Sequence, residues 1–276
     1  MQFRKVQSDA CFLFFSLSKG ERMSANSSIS RIPPEHLFMD GTVTADQFVE
    51  FGNGFVHELL LKRCRLAPHE RVLDMGCGVG QKARVLAEYL SDEGSYEGID
   101  VFAPAIEFCR SAYDEKKNFR FQLADVSSSH YNPDGERSAT DYNLPYSGNE
   151  FDLVFLASLF THMLPDEVRN YLSEIRRVLN KDSGRCLVTC FLLTDETREA
   201  ARRNDPAVSY RFDHDAGVCR LLDPQDPAKG VAYDEAWMRG AFAETGLRIC
   251  EITYGTWAGG KDMLRALQDC ILAVPA

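Results

Sequence analysis

Val72-Leu-Asp-Met-Gly-Cys-Gly-Val-Gly80 is an apolar strand that stops in three alternating glycines and hands the chain to a helix. Arg71–Asp74 has the apolar, β-branched character of a strand buried on both faces, and Lys82–Leu90 repeats apolar residues at helical spacing through Val85, Leu86 and Leu90. Glycines lack the Cβ that would keep a ligand off the backbone, and a helix starting there points free N–H groups at whatever lies against the turn. Strand, glycine turn and helix in that order make a cradle for a nucleotide.

The glycine spacing narrows the ligand. Gly76-x-Gly78-x-Gly80 differs from the G-x-G-x-x-G turn that seats a dinucleotide pyrophosphate on a helix N-terminus. Asp74 precedes the turn, and Asp100 ends the next predicted strand, Ser95–Asp100, twenty residues beyond Gly80. An acid at the tip of the second strand can accept both hydroxyls of a ribose. A nucleoside carrying an amino acid therefore fits this turn better than NAD.

Asp74-x-Gly-Cys-Gly-x-Gly80 followed by Tyr96-Glu-Gly-Ile-Asp100 resembles the first two motifs of the class I S-adenosylmethionine-dependent methyltransferases. Phe121-Gln-Leu-Ala-Asp125 resembles the family's third strand, Leu144-Pro-Tyr-Ser-Gly-Asn-Glu-Phe-Asp-Leu-Val-Phe155 the run into the fourth, and Arg176-Arg-Val-Leu-Asn-Lys-Asp-Ser-Gly-Arg-Cys-Leu-Val188 the helix, turn and fifth strand. The resemblance covers roughly residues 71–193, with its motifs in family order. It implies an α/β fold: a Rossmann-like, seven-stranded, mostly parallel sheet with helices on both faces and an antiparallel C-terminal strand. It also implies S-adenosyl-L-methionine as cofactor. Gly76, Cys77, Gly78 and Gly80 would form the turn against it, with Asp74 reaching the methionine amino group and Asp100 the ribose. Val101 would pack on the adenine, Asp125 would accept from the adenine amino group with Val126 beside it, and Ala157 would close the rim at the fourth strand.

The chain of 276 residues is 45% hydrophobic, which suits one sizeable α/β domain with appendages. The expected layout is a flexible extension over 1–30, a helical cap over 31–66 and the methyltransferase-like domain over 67–276. A net charge of −10 disfavours nucleic acid or an anionic membrane as partner, serves solubility and leaves the oligomeric state open, while a small-molecule substrate is what the resemblance implies. The nine cysteines contain no C-x-x-C pair, so neither a zinc cluster nor a disulfide framework is indicated, and a reducing, cytoplasmic setting is expected. The apolar run Cys11–Leu17 is too short to span a bilayer and lacks a cleavage site, so residues 1–22 read as an extension ahead of Met23.

In the cap, Asp46–Arg65 reads as a helix with Phe48, Phe51, Phe55, Leu59 and Leu60 on one stripe, weakened by Gly52 and Gly54. Covering the active-site mouth and covering a sheet face are equally open to it. Further strands are expected at Asn118–Leu123, Phe151–Ala157, Arg185–Leu193, Leu247–Trp257 and Gln268–Val274, with helices at Ala103–Tyr113, Pro165–Leu179 and Asp234–Thr245. The last two strands, joined by a short link, are expected to pair antiparallel. Two stretches exceed ordinary loop length: 126–148, expected as a surface hairpin, and 194–233, whose aromatic Tyr210-Arg-Phe-Asp-His214 suggests a lid in contact with substrate.

Methyl transfer from a sulfonium is mostly a matter of positioning, but a hydroxyl acceptor gains from a base. His162, just beyond the fourth strand, is the first candidate and His214 the reserve, whereas His36 and His57 read as structural. No metal is expected. The favoured reading is methyl transfer to a hydroxyl oxygen of a sugar or natural-product scaffold; the alternative keeps the fold and pocket for a non-methylating reaction or for binding alone.

Overall fold

The computed structural model describes residues 31–38, 42, 44–203, 207–259 and 267–276; the expected extension over 1–30 and the link at 260–266 lie outside them. Helix α1 (Ala45–Gly54) runs into a π-helical stretch, Phe55–Arg63. Then come β1 (Arg71–Met75), α2 (Gln81–Tyr89), β2 (Ser95–Asp100), α3 (Ala103–Ala112), β3 (Phe119–Leu123), β4 (Leu153–Leu156), α4 (Pro165–Val178) and β5 (Arg185–Cys190). After short β6 (Leu192–Leu193) follow α5 (Asp195–Arg202), β7 (His214–Asp215), β8 (Cys219–Leu221), β9 (Val231–Asp234), α6 (Glu235–Glu244), β10 (Leu247–Thr253) and β11 (Asp269–Pro275).

Seven strands form one sheet in the order β10-β11-β5-β4-β1-β2-β3. The strands from β5 to β3 are parallel, while β11 runs antiparallel between β5 and β10. Side chains alternate between two cores. Leu73, Met75, Val154 and Leu156 meet α4 and α6 on one face, and Val72, Leu153, Phe155 and Leu187 meet α2, α3 and the π-helical stretch on the other. Each fully buried Leu, Val or Phe contributes roughly 1.5–3 kcal/mol, so the strand centres, buried on both sides, carry most of the stabilisation. The seven-stranded, mostly parallel sheet expected from the sequence is thus the sheet observed.

Four local expectations change. Gly52 is more than a weak point of the cap helix: a Cβ there would sit 2.6 Å from the Gln81 carbonyl oxygen, so this glycine lets α1 cross the start of α2 backbone to backbone. The described cap residues cover the α2–α3 side, where Arg31 pairs with Glu88 and Glu115 and lies over the Tyr113 ring. The fifth strand does not run to Leu193 within the main sheet. At Phe191 the chain departs, and Leu192 donates to the buried carboxylate of Asp269 (2.7 Å), which also accepts from Gly255 N (2.7 Å) and Trp257 Nε1 (2.8 Å).

The second insertion then folds on that departure. It builds a small sheet, β6-β9-β8-β7, over its own aromatic core of Phe191, Tyr210, Phe212 and Trp257. The first insertion is no surface hairpin either: Val126, Ala139, Tyr142 and Leu144 are buried in the main core on the α4 side.

Candidate active site

The carboxyl ends of β1, β2, β3 and β4 open on a pocket at the rim where open α/β sheets bind ligands. Its floor is the glycine turn. Gly76, Gly78 and Gly80 have φ of 80°, 51° and 75°, a left-handed conformation that residues with a Cβ adopt at a cost. Gly76 N (2.8 Å) and Cys77 N (3.2 Å) donate to Ile99 O, pinning the turn to the end of β2.

Asp100 completes the clasp. Its Oδ2 accepts from Gly78 N at 2.7 Å and its Oδ1 from Phe102 N at 2.9 Å. Each carboxylate oxygen carries more than one acceptor site, so this clasp leaves room to accept from a vicinal diol. Val101, Val126 and Ala157 line the same wall, giving an apolar slot beside the acid suited to a purine. The residues present therefore fit a nucleoside.

Four of the residues singled out in the sequence stand off that wall. Asp74 is fully buried and accepts from the Tyr96 hydroxyl at 2.7 Å; lying between Leu73 and Met75, it points to the opposite face. Cys77 is buried behind the turn, where burial pushes its thiol pKa well up and leaves it a filler rather than a nucleophile. Gly80 ends the turn, and its carbonyl accepts from the Tyr113 hydroxyl at 3.1 Å. Asp125 is exposed, and its Oδ1 accepts from Glu136 N at 3.1 Å, tying down the first insertion.

His162 is on the wall, in a short 3-10 turn, Phe160–His162. Its Nδ1 lies 2.7 Å from Ala228 O. A carbonyl only accepts, so Nδ1 carries the proton and Nε2 keeps the basic lone pair. The turn itself hangs from Ser158, a buried residue with φ of 63°. Ser158 N donates to Thr189 Oγ1 (2.8 Å), Gln268 Nε2 donates to Ser158 Oγ (3.0 Å), and Thr161 Oγ1 donates to Ser158 O (2.5 Å). A left-handed serine held this firmly beside a pocket is backbone strain kept where a side chain must be aimed. His214 is exposed on β7, opposite Leu221, and is not on the pocket wall. No described residue of the second insertion is on that wall.

The wall also contains residues that sequence reasoning passed over. Tyr131 and Tyr142 come from the first insertion, and Glu167 and Tyr171 from successive turns of α4. Glu167 accepts from Leu164 N at 2.5 Å, and burial pushes its carboxyl up from the ordinary range. The i, i+4 spacing of Glu167 and Tyr171 was the available signal. Among the described residues no group of three or more His, Cys, Asp or Glu side chains is placed to hold a metal ion, and no helix is long and apolar enough to cross a membrane.

Residues 73–188 match the methyltransferase domain family. The uncharacterized methyltransferase YcgJ of Bacillus subtilis (strain 168) is 28% identical over 176 residues, 63% of this chain and 56% of its own length. An O-methyltransferase of Pyrenophora dematioidea is 31% identical over 127 residues, 45% of this chain and 40% of its own. The chain thus spans about half the length of these curated relatives. The crystal structure of the 1,6-didemethyltoxoflavin-N1-methyltransferase of Burkholderia thailandensis, with bound 1,6-didemethyltoxoflavin and S-adenosylhomocysteine, aligns over 83% of this chain and 78% of that one. Its TM-score of 0.51 at 15% identity is a likeness of fold.

Proposed function

Because residues 73–188 match the methyltransferase domain family and the sheet has a nucleoside-fitting rim, we propose that this chain moves a methyl group from S-adenosylmethionine to an uncharged small molecule, at a hydroxyl oxygen of a sugar or other natural-product scaffold. The observation that carries the reading is His162, a residue of the pocket wall whose Nδ1 is engaged by a carbonyl, which leaves Nε2 as the basic nitrogen. S-adenosylmethionine, when bound, supplies a methyl already activated by its sulfonium charge.

The chain's own residues do the rest. Asp100 accepts the ribose hydroxyls while clasping the glycine turn, and Val101 and Val126 hold the adenine. Asp74 and Asp125, off the wall, support it through Tyr96 and the first insertion. Holding the acceptor at near-attack distance supplies roughly 7–11 kcal/mol of the barrier. His162 Nε2 takes the hydroxyl proton as the new bond forms, worth on the order of 10²–10⁴ in rate, and Ala228 O stays as the partner of the resulting imidazolium.

The charge of the wall supports an uncharged acceptor. Asp100 and Glu167 line it and no Lys or Arg does among the described residues, so a phosphate or carboxylate would lose its hydration there without a cation in return. The O- and N-methyltransferases among the similar proteins favour a small molecule and leave the accepting atom to experiment. The eight described cysteines are free and seven of them are buried, which favours a reducing compartment such as the cytoplasm.

The test is incubation with methyl-labelled S-adenosylmethionine and a panel of sugars, phenols, amines and carboxylic acids. Label appearing in hydroxylated neutral compounds is the expected result. A protein that binds S-adenosylhomocysteine and labels only amines or acids would overturn the hydroxyl assignment.

A further inference from the structure

Among the described residues, the second insertion reaches the ring of His162 with a backbone hydrogen bond. Ala228 O receives the Nδ1 proton at 2.7 Å from a residue 66 positions away in sequence. Ala228 sits in a single 3-10 turn, Pro227–Lys229, which starts at Asp226. Asp226 Oδ2 lies 3.0 Å from Nε2 of His130, a residue of the first insertion. Beside His130 is Tyr131, whose ring stands edge-on to Phe102 at 6.1 Å and lines the pocket. On the other flank of the same turn, the buried Tyr233 hydroxyl lies within hydrogen-bond reach of both Phe160 O and Met163 O, and so donates to either carbonyl bracketing His162.

These contacts form one chain of supports from the first insertion, across the rim, to the imidazole. We propose that residues 226–229 are a positioning strap: anchored to His130 through Asp226, the strap presents Ala228 O to His162 and thereby selects the tautomer whose Nε2 can act as base. An imidazole free in water prefers its proton on Nε2, the wrong nitrogen for this pocket, so the tautomer must be imposed by a fixed acceptor. Asp226 and His130 act through His162 and are positioning residues. The second insertion is thus a brace for the catalytic turn, which accounts for its absence from the pocket wall.

The inference rests on the role given to His162 above, but its primary test needs no acceptor. Imidazole nitrogen shifts of uniformly labelled protein, measured above the pH at which the ring titrates and assigned with His162→Asn, report the tautomer directly. Wild-type protein is expected to show His162 protonated on Nδ1. Asp226→Ala and His130→Ala break the tie from opposite sides, at two partly exposed residues, and each is expected to move His162 towards the Nε2-protonated form. Affinity for S-adenosylhomocysteine should change less than twofold. With an acceptor from the panel, kcat should fall about tenfold while KM for the cofactor holds.

A wild-type His162 protonated on Nε2 would overturn the assignment of Ala228. Folded variants that both keep the wild-type tautomer would overturn the strap. Loss of the base role would appear differently, as a correctly set tautomer whose removal leaves turnover intact.

Discussion

Asp100 clasps the glycine turn, and the proposed function gives it the ribose as well. If Asp100 accepts from both ribose hydroxyls as proposed, Asp100→Ala should cost about 2–4 kcal/mol of S-adenosylhomocysteine affinity by calorimetry. It also frees Gly78 N and Phe102 N, so part of that loss reflects a looser turn, and Asp100→Asn, which keeps an acceptor oxygen, should recover some of it. Unchanged affinity in folded Asp100→Ala would move the ribose elsewhere. His162→Ala should lower kcat and kcat/KM together by about 10²-fold or more and leave cofactor affinity alone, because a base acts in the transition state. Turnover surviving at saturating cofactor would make His162 a prop. Asp269 offers a test by pH. Burial raises its pKa to about 6, against the pull of the three N–H donors it accepts from. The unfolded value is near 4, so the stability associated with the protonated acid is complete below about pH 4 and is lost as pH rises through about 6, some 2–3 kcal/mol in all. Urea midpoints of Asp269→Asn should lack that loss between about pH 4 and 6.5; parallel curves for variant and wild type would show that Asp269 does not titrate there.

The glycine turn shows what makes an element legible. Strand, three glycines and helix are local, and β1, α2 and β2 fall within a residue or two of where periodicity puts them. Gly80→Ala should destabilise by roughly 1–3 kcal/mol in a denaturant titration, since it combines left-handed strain with a Cβ 3.1 Å from Cys109 Sγ. Gly217→Ala, equally left-handed at φ of 82° but with open space around it, isolates the strain and should cost about 1 kcal/mol. Equal losses at the two sites would mean that packing against Cys109 contributes nothing. Where reading failed, the deciding contact was distant. The run Cys190–Leu193 is apolar throughout, so nothing in it announced that Asp269 would draw Leu192 into another sheet. The first insertion is rich in Ser, Asn, Asp and Gly and looks like surface, because only scattered positions such as Tyr131 and Tyr142 face inward. Asp74 is the instructive middle case: its place before the turn suggested the ligand, whereas the alternation with Leu73 and Met75 already put it on the other face.

For the whole molecule, micromolar affinity for S-adenosylhomocysteine should be the same with and without chelator, and loss of binding in chelator would reveal a metal requirement that no described cluster suggests. The antiparallel pairing of β10 with β11 was legible at this scale because only a short link joins the two apolar runs, whereas the insertion of β11 between β10 and β5 was carried by the resemblance alone. That order also governs how the protein is made. A chain growing from its N-terminus completes β5 and β10 before β11 exists, and in the finished sheet those two strands are not partners but lie on either side of the missing one. Two bare edges therefore wait on the ribosome, a hazard for edge-to-edge aggregation. The same late strand and the residue before it bring Gln268 to Ser158 and Asp269 to Leu192, so the Phe160–His162 turn and the small sheet beside it reach their final geometry only after the rest of the main sheet has been synthesised. Deleting 269–276 should leave a species that collapses and aggregates during expression without acquiring cofactor affinity, and adding the missing strand as a separate peptide during refolding is expected to restore part of it.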